Sequence, residues 1–467
     1  MNGAIFAKAG LGSSSMAKSI DPCLTAELNN RVGELSGTVP EFSMPVPESL
    51  QLPVAETGAH NLYERLFSPQ RLPSRRLASV DAFRAITLFL MIFVNNLWSL
   101  NKVPGWLGHA GETEDRLGLA DTVAPAFLFI VGLAIPFAMQ TRKARGFSQK
   151  RTFLHILSRS IALLVMGIFQ VNLDIYDTAS SVLPKPWWQI GITLAFFLIW
   201  LNYPSSVSKR KRQLLRGGGI FLLTVLALLF RGNKEGHYSW MDPDWYGTLG
   251  IIGWSYLVGA SIYLFAGEKL SVFAGIFVLC VLFNIANMSG WLEFLNHAKS
   301  YVWFLDSGDL IAFTMAGILT SVLYRRVTKE GQTEQGILVL ASVVLILMGA
   351  GIALRPFWGI SKERDTASWI LICTAISIAL YILLLFVVDL KGKQNWMRSI
   401  RPASTSTLTC YLLPYIHNAI FNLCGSGCSL PLALRTGWIG VLKALIYAFL
   451  IIRIAGWLEK KGIRLAL

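Results

Sequence analysis

The apolar positions of this chain come in long blocks rather than in the three-to-four-residue periods of a soluble amphipathic helix. A helix of about 20 residues crosses the roughly 30 Å of hydrocarbon in a bilayer. Twelve blocks approach or reach that length: 82–100, 119–139, 153–172, 187–203, 214–230, 246–266, 270–288, 308–324, 336–354, 368–390, 405–423 and 437–456. The fifth is the least regular, because Arg216 and the run Gly217, Gly218, Gly219 cut into it. Residues 1–75 break the pattern: they are polar, aperiodic and contain Pro and Ser, and their start has no apolar core of signal-peptide length. The pattern predicts an all-α, polytopic transmembrane helical bundle of about twelve spans over residues 76–467. A disordered cytoplasmic tail is expected at residues 1–75.

Composition agrees. Of 467 residues, 54% are hydrophobic and only 15% are charged, against about 25% charged in ordinary soluble domains. The net charge of +15 would suit a nucleic-acid binder, but no nucleic-acid motif accompanies it. The basic residues instead alternate between loops. Arg142, Lys143, Arg145, Lys150 and Arg151 crowd one loop, and Lys209, Arg210, Lys211 and Arg212 crowd the next but one. Arg325, Arg326 and Lys329, then Lys391, Lys393, Arg398 and Arg401, and finally Lys460, Lys461 and Arg464 continue the series. The intervening loops hold fewer bases and several acids, including Asp174, Asp177, Asp242 and Asp244. Lys and Arg collect in cytoplasmic loops, so both termini are expected in the cytoplasm. Of six cysteines, Cys424 and Cys428 are the one pair expected to form a disulfide on the oxidising side.

Polar groups at membrane depth are costly and tend to serve function. In the first block, Asp81 and Arg84 share a helix face at the cytoplasmic end, as a local ion pair or as part of a ligand site. Asn95 follows eleven residues later, about 16 Å along the helix, with Asn96 beside it. The next loop holds His109, Glu112, Glu114 and Asp115, and Asp121 stands just inside the second block. A histidine oriented by a carboxylate is a general-base arrangement, although a solvated loop histidine is equally simple. The spacing matches no compact zinc pattern, so no metal is expected. Arg159 in the third block lies in the same leaflet as Arg84, and the two could pair with Asp81 or clamp a phosphate-bearing ligand. Tyr411, Tyr415, Asn418 and Asn422 form a stripe on the eleventh block, with His417 beside it. No Walker loop, GxGxxG, HExxH or GxSxG motif is present.

The stretches RLASVDAFRAIT, LMIFVNN, GHA followed by LAD, and PAFLFIVGLAIPF, with a shorter echo at Arg159-Ser160, resemble the membrane acetyltransferase family of heparan-α-glucosaminide N-acetyltransferase and its bacterial relatives. The resemblance is strong over roughly residues 75–172. It implies an integral membrane enzyme that takes acetyl-CoA as co-substrate from the cytoplasm and passes the acetyl group to an amino sugar or glycan on the far side. It places the catalytic histidine at His109, with Asn95 and Asp121 at the family's other motif positions and Asp81 and Arg84 in the opening motif. The family's large lumenal N-terminal domain has no counterpart here, which looks like the bacterial branch and a bacterial inner membrane. Arg84 and Arg159, with Asp81 holding Arg84, are the expected donor-binding residues. The partners expected are membrane lipids, acetyl-CoA, a sugar or glycan acceptor, and a second copy of the chain in a homodimer. A transporter of a sugar or lipid-linked glycan, or an inactive envelope scaffold, is the competing reading.

Overall fold

The computed structural model describes residues 77–234, 236–243, 247–295, 307–329, 333–424 and 431–467. The expected tail at 1–75 and the Cys424–Cys428 pair lie wholly or partly outside the described residues. Each of the twelve apolar blocks is a helix. In chain order they are α1 (Ala78–Leu97), α2 (Leu119–Ala144), α3 (Gln149–Val171), α4 (Lys185–Trp200), α5 (Lys209–Leu228), α6 (Gly247–Ala266), α7 (Leu270–Met288), α8 (Asp309–Lys329), α9 (Thr333–Trp358), α10 (Ala367–Leu384), α11 (Thr407–Leu423) and α12 (Gly437–Lys460). Helix α10 runs on into a π-helical turn, Leu385–Leu390. A small antiparallel hairpin, β1 (Gly232–Lys234) and β2 (His237–Ser239), precedes α6.

Nine of these helices are long and apolar enough to cross a membrane, among the described residues. The other three are α4, α5 and α11. Helices α4 and α11 have 16 and 17 residues, and α5 opens on Lys209, Arg210, Lys211 and Arg212.

Burial separates a centre from a rim. In α1, α2, α8 and α10, 61–67% of the apolar stretch is buried inside the protein, against 11% in α9 and 17% in α7. Phe83 of α1 meets Phe129 of α2, and Phe313 of α8 meets Trp369 of α10 edge to face at 5.2 Å. Helices α2 and α8 touch backbone to backbone. A Cβ on Gly132 would lie 2.0 Å from the Thr314 carbonyl oxygen, and one on Gly317 would lie 2.1 Å from that of Phe129. Small residues permit such approach where lipid supplies no hydrophobic drive between helices. Outside the centre α3 pairs with α6 and α4 with α5, and the rim helix α9 packs on α10.

Contacts between loops fall into two sets. At one end, Glu268 accepts hydrogen bonds from Gln140 and Arg325, Asn202 N–H donates to Arg464, and Thr405 donates to Glu459. There too, the Asp389 carboxylate accepts from the N–H groups of Ala78 and Ser79. Those are first-turn donors of α1 that no intrahelical carbonyl can satisfy. At the other end, Asn101 pairs with Arg435 and Gly437, Asp115 with Arg355, and Asn172 with Asp242. The charge alternation along the sequence maps onto these two ends. The basic loops gather at the first, and the loop of His109 lies at the second.

Candidate active site

The loop between α1 and α2 sits on the N-terminus of α2 because that terminus has backbone donors to satisfy. Leu119 N–H donates to the Trp106 carbonyl at 2.7 Å, and Ala120 N–H to that of Leu107 at 3.3 Å. Asp121 completes the junction. One carboxylate oxygen accepts from the N–H groups of Gly118 and Ala110, each at 3.0 Å. The other lies 2.7 Å from Nδ1 of His109. The Asp121 side chain is 1% exposed and that of His109 is 22% exposed. A carboxylate in this position accepts the Nδ1 proton, fixes that tautomer and leaves Nε2 as the basic edge of the ring. Gly118 is required by contact: a Cβ there would lie 1.9 Å from the Gly108 carbonyl oxygen. Behind the dyad, the buried Trp369 of α10 donates its indole N–H to the Asp121 carbonyl at 3.1 Å.

Glu114, Asp115 and Arg116 are engaged in holding the loop. Arg116 donates to Glu114 at 2.7 Å, to the Gly105 carbonyl at 2.6 Å and to the His109 carbonyl at 3.1 Å. Glu114 also accepts from Gly111 N–H. That backbone donor and the Arg116 guanidinium hold its carboxyl below the usual range. Asp115 accepts from Arg355 Nε at 2.9 Å and from Ile360 N–H at 2.7 Å, which likewise lowers its pKa. Of the four acids near His109 in sequence, the one that orients the ring is Asp121, twelve residues away.

Trp98, exposed at the end of α1, lies with its ring 5.6 Å from that of His109. Asn95 is exposed one helical turn earlier, so the two share a face. Asn96 points inward, and its side-chain oxygen is buried with no partner.

The other sequence candidates stand elsewhere. Arg84 forms an ion pair with Asp81 at 3.3 Å, and Asp81 also accepts from Ser404. Arg159 does not take part in that pair in the contacts seen: its guanidinium lies 4.7 Å from the ring centroid of Tyr256. On α11, Tyr411 and Tyr415 are inside with hydroxyls 3.3 Å apart, whereas Asn418 and Asn422 are exposed. The stripe is therefore interior over only half its length. His417 lies 3.2 Å from the Tyr447 hydroxyl.

Sequence reasoning missed Trp98, Arg116, Arg355 and Trp369. Trp98 had a signal, its position one turn beyond Asn95. Arg355 and Trp369 are more than 230 residues from the loop they hold, and nothing local marks them.

An inward carboxylate, an oriented histidine and an open aromatic face at one end of a bundle of long apolar helices define the class: a multi-pass membrane protein with a His–Asp pair at one end of the bundle. Comparison with known proteins narrows it. Residues 76–306 match the family described as Domain of unknown function (DUF5009). Human heparan-alpha-glucosaminide N-acetyltransferase is 41% identical over 101 residues, which is 21% of this chain and 14% of the human protein. The mouse protein of the same name is 36% identical over 107 residues, 22% of this chain and 15% of its own. The matched stretch thus spans about one-seventh of the length of these relatives. Over that stretch the chain is similar to the heparan-alpha-glucosaminide N-acetyltransferases.

Proposed function

We propose that this protein is a transmembrane acetyltransferase. It moves an acetyl group from acetyl-CoA, bound at the end where the basic loops gather, to an amine or hydroxyl of a sugar or glycan at the other end. All twelve helices are read as crossing the membrane, with both termini cytoplasmic and the membrane a bacterial inner one. The observation that carries the reading is the His109–Asp121 pair at the acceptor end. Its residues sit in a chain related to membrane acetyltransferases.

A thioester is already activated, so the protein must chiefly orient and deprotonate the acceptor. His109 Nε2 takes the acceptor proton as its nitrogen or oxygen attacks the thioester carbonyl carbon. The C–S bond breaks, and the proton passes from the imidazolium to the departing thiolate. Asp121 holds Nδ1–H throughout and stabilises the imidazolium. Asn95 donates its amide N–H to the carbonyl oxygen, where charge develops. Arg159, and Arg84 held by Asp81, bind donor phosphates from the basic end.

The test is transfer of radiolabelled acetyl from acetyl-CoA to a panel of amino sugars and glycans by purified protein in detergent. Acceptor-dependent transfer by wild type that is lost in His109→Ala is the expected result. Glycan flux in proteoliposomes with no acetyl transfer would replace this reading with the transporter one.

A further inference from the structure

Helix α9 is the barest of the long apolar helices among the described residues, with 11% of its apolar stretch buried. Leu338, Leu345 and Ile352 recur every seven residues along one face, and Ile346 and Phe357, about three turns apart, run beside them. All five are more than half exposed. In a multi-pass membrane protein a face of this kind lies against lipid chains. At the end of the bundle that carries His109, it runs into a hollow of about 480 Å³ whose lining includes Arg355, Phe357, Trp358, Arg364 and Asp115. That volume falls in the range of small-molecule sites, about 300–1,000 Å³.

The turn after α9 brings the charges of the hollow together. Gly359 has a φ of 71°, and a Cβ on it would lie 3.3 Å from Arg364 Nη2 and from the Asp115 carboxyl carbon alike. Ser361 N–H donates to Thr366 Oγ1 and Thr366 N–H to the Ser361 carbonyl, each at 3.1 Å. Asn284 of α7 donates to the Asp365 carbonyl at 2.7 Å. Arg364 is thus carried on a turn that is tied down at its base. The Asp115 carboxylate is engaged by Arg355 Nε and Ile360 N–H. Arg364 acts on it through charge alone. Among the described residues the Arg364 guanidinium makes no ion pair or hydrogen bond, and its side chain is exposed. Two guanidiniums against one carboxylate leave the hollow net positive at the edge of an apolar face.

We infer that the hollow binds a lipid-linked sugar phosphate. The phosphate sits between Arg355 and Arg364, the lipid chain lies along the bare face of α9, and the sugar rests on Trp358. Guanidiniums pair with phosphate oxygens through charge-assisted, often bidentate hydrogen bonds. The tryptophan ring offers the sugar an apolar face beside a polar N–H. A plain phospholipid would use the first two contacts and leave the third empty. Asp115, which Arg355 clasps, belongs to the loop of His109, so the sugar projects at that loop. As acceptor of the acetyl group, such a lipid rests on the acetyltransferase reading above; as a ligand of the hollow it does not.

The probe is a polyprenyl-phosphate glucosamine, presented to the full chain in phosphatidylcholine nanodiscs and counted by native mass spectrometry. Wild type should retain it about tenfold more strongly than phosphatidylglycerol, which lacks the sugar, or glucosamine 1-phosphate, which lacks the chain. Arg364→Gln breaks no hydrogen bond among the described residues. It should retain the probe about tenfold more weakly, as for loss of a charge-assisted hydrogen bond. Lys393→Ala, at the basic end, should retain it as wild type does. Unchanged retention in Arg364→Gln overturns the site. Equal retention of phosphatidylglycerol overturns it too, because the guanidiniums then read a plain headgroup. So does a dimer that excludes the probe, because a second copy then covers the face of α9. The two proposals fail separately. Arg364-dependent retention without acetyl transfer to any acceptor removes the acetyltransferase reading and leaves the site. Acetyl transfer to the probe with a wild-type acceptor KM in Arg364→Gln removes the site and leaves the reading.

Discussion

The two ends of the bundle handle charge in opposite ways. At the end that carries His109, the acids in described contacts are answered: Asp121 by His109 and two N–H groups, Glu114 by Arg116, and Asp115 by Arg355. At the other end, three arginines and a histidine (Arg142, Arg151, Arg159 and His155) line up, and among the described residues none of these arginines has an ion pair with a carboxylate. The first arrangement holds one ring in place before any ligand arrives, which is what a general base needs. In the second, the guanidiniums stand over the rings of Phe147 and Tyr256 instead of against carboxylates. On the proposed function, the first end carries the chemistry and the second meets the donor.

The variant that should break the comparison most sharply is His109→Ala. It should lower kcat by about 10²-fold or more while leaving affinity for a non-hydrolysable acetyl-CoA analogue nearly unchanged. Arg84→Ala should do the reverse, raising the donor KM with little change in kcat, because it removes contacts made equally in the ground and transition states. Steady-state kinetics paired with direct analogue binding checks both, and loss of analogue binding in His109→Ala alone would invert the assignment of the two ends.

Asp121→Asn is the next in size. It keeps the shape but loses the charge that holds Nδ1–H, so kcat should fall by less than in His109→Ala. The buried N–H groups of Gly118 and Ala110 lose a charged acceptor, which should cost about 1–3 kcal/mol of stability. Thermal unfolding in detergent measures that cost, and an unshifted midpoint would mean that the carboxylate does not hold the loop.

The smallest effect is the response to acid. Glu114 and Asp115 titrate below their ordinary values of 4.5 and 3.8. A carboxyl with a depressed folded pKa contributes stability above its unfolded value and loses it as pH falls through the folded one. Limited proteolysis of the 98–118 loop should therefore be constant from about pH 8 to pH 5 and increase below about pH 4. In Asp115→Asn/Glu114→Gln protein the acid step should shrink to the part carried by Asp121, which still holds the loop. An unchanged acid step in that variant would assign the transition to other groups.

The twelve helices were legible in the sequence because apolar block length answers directly to bilayer thickness, and the alternation of basic loops carried over to the two sets of loop contacts. The Asp81–Arg84 pair was legible for a similar reason: three residues apart on a helix is a contact. The site was legible only in part. His109 and Asp121 could be named, but Glu112, Glu114 and Asp115 were equally near in sequence, and the fold alone selects Asp121 by seating the loop on the donors of α2. The clasp from Arg355, the prop from Trp369 and the convergence of Arg142 with Arg151, His155 and Arg159 join different helices. Periodicity reports which face a residue occupies on its own helix. Which helix comes to lie against that face depends on packing across the whole bundle, and only the tertiary structure decides it.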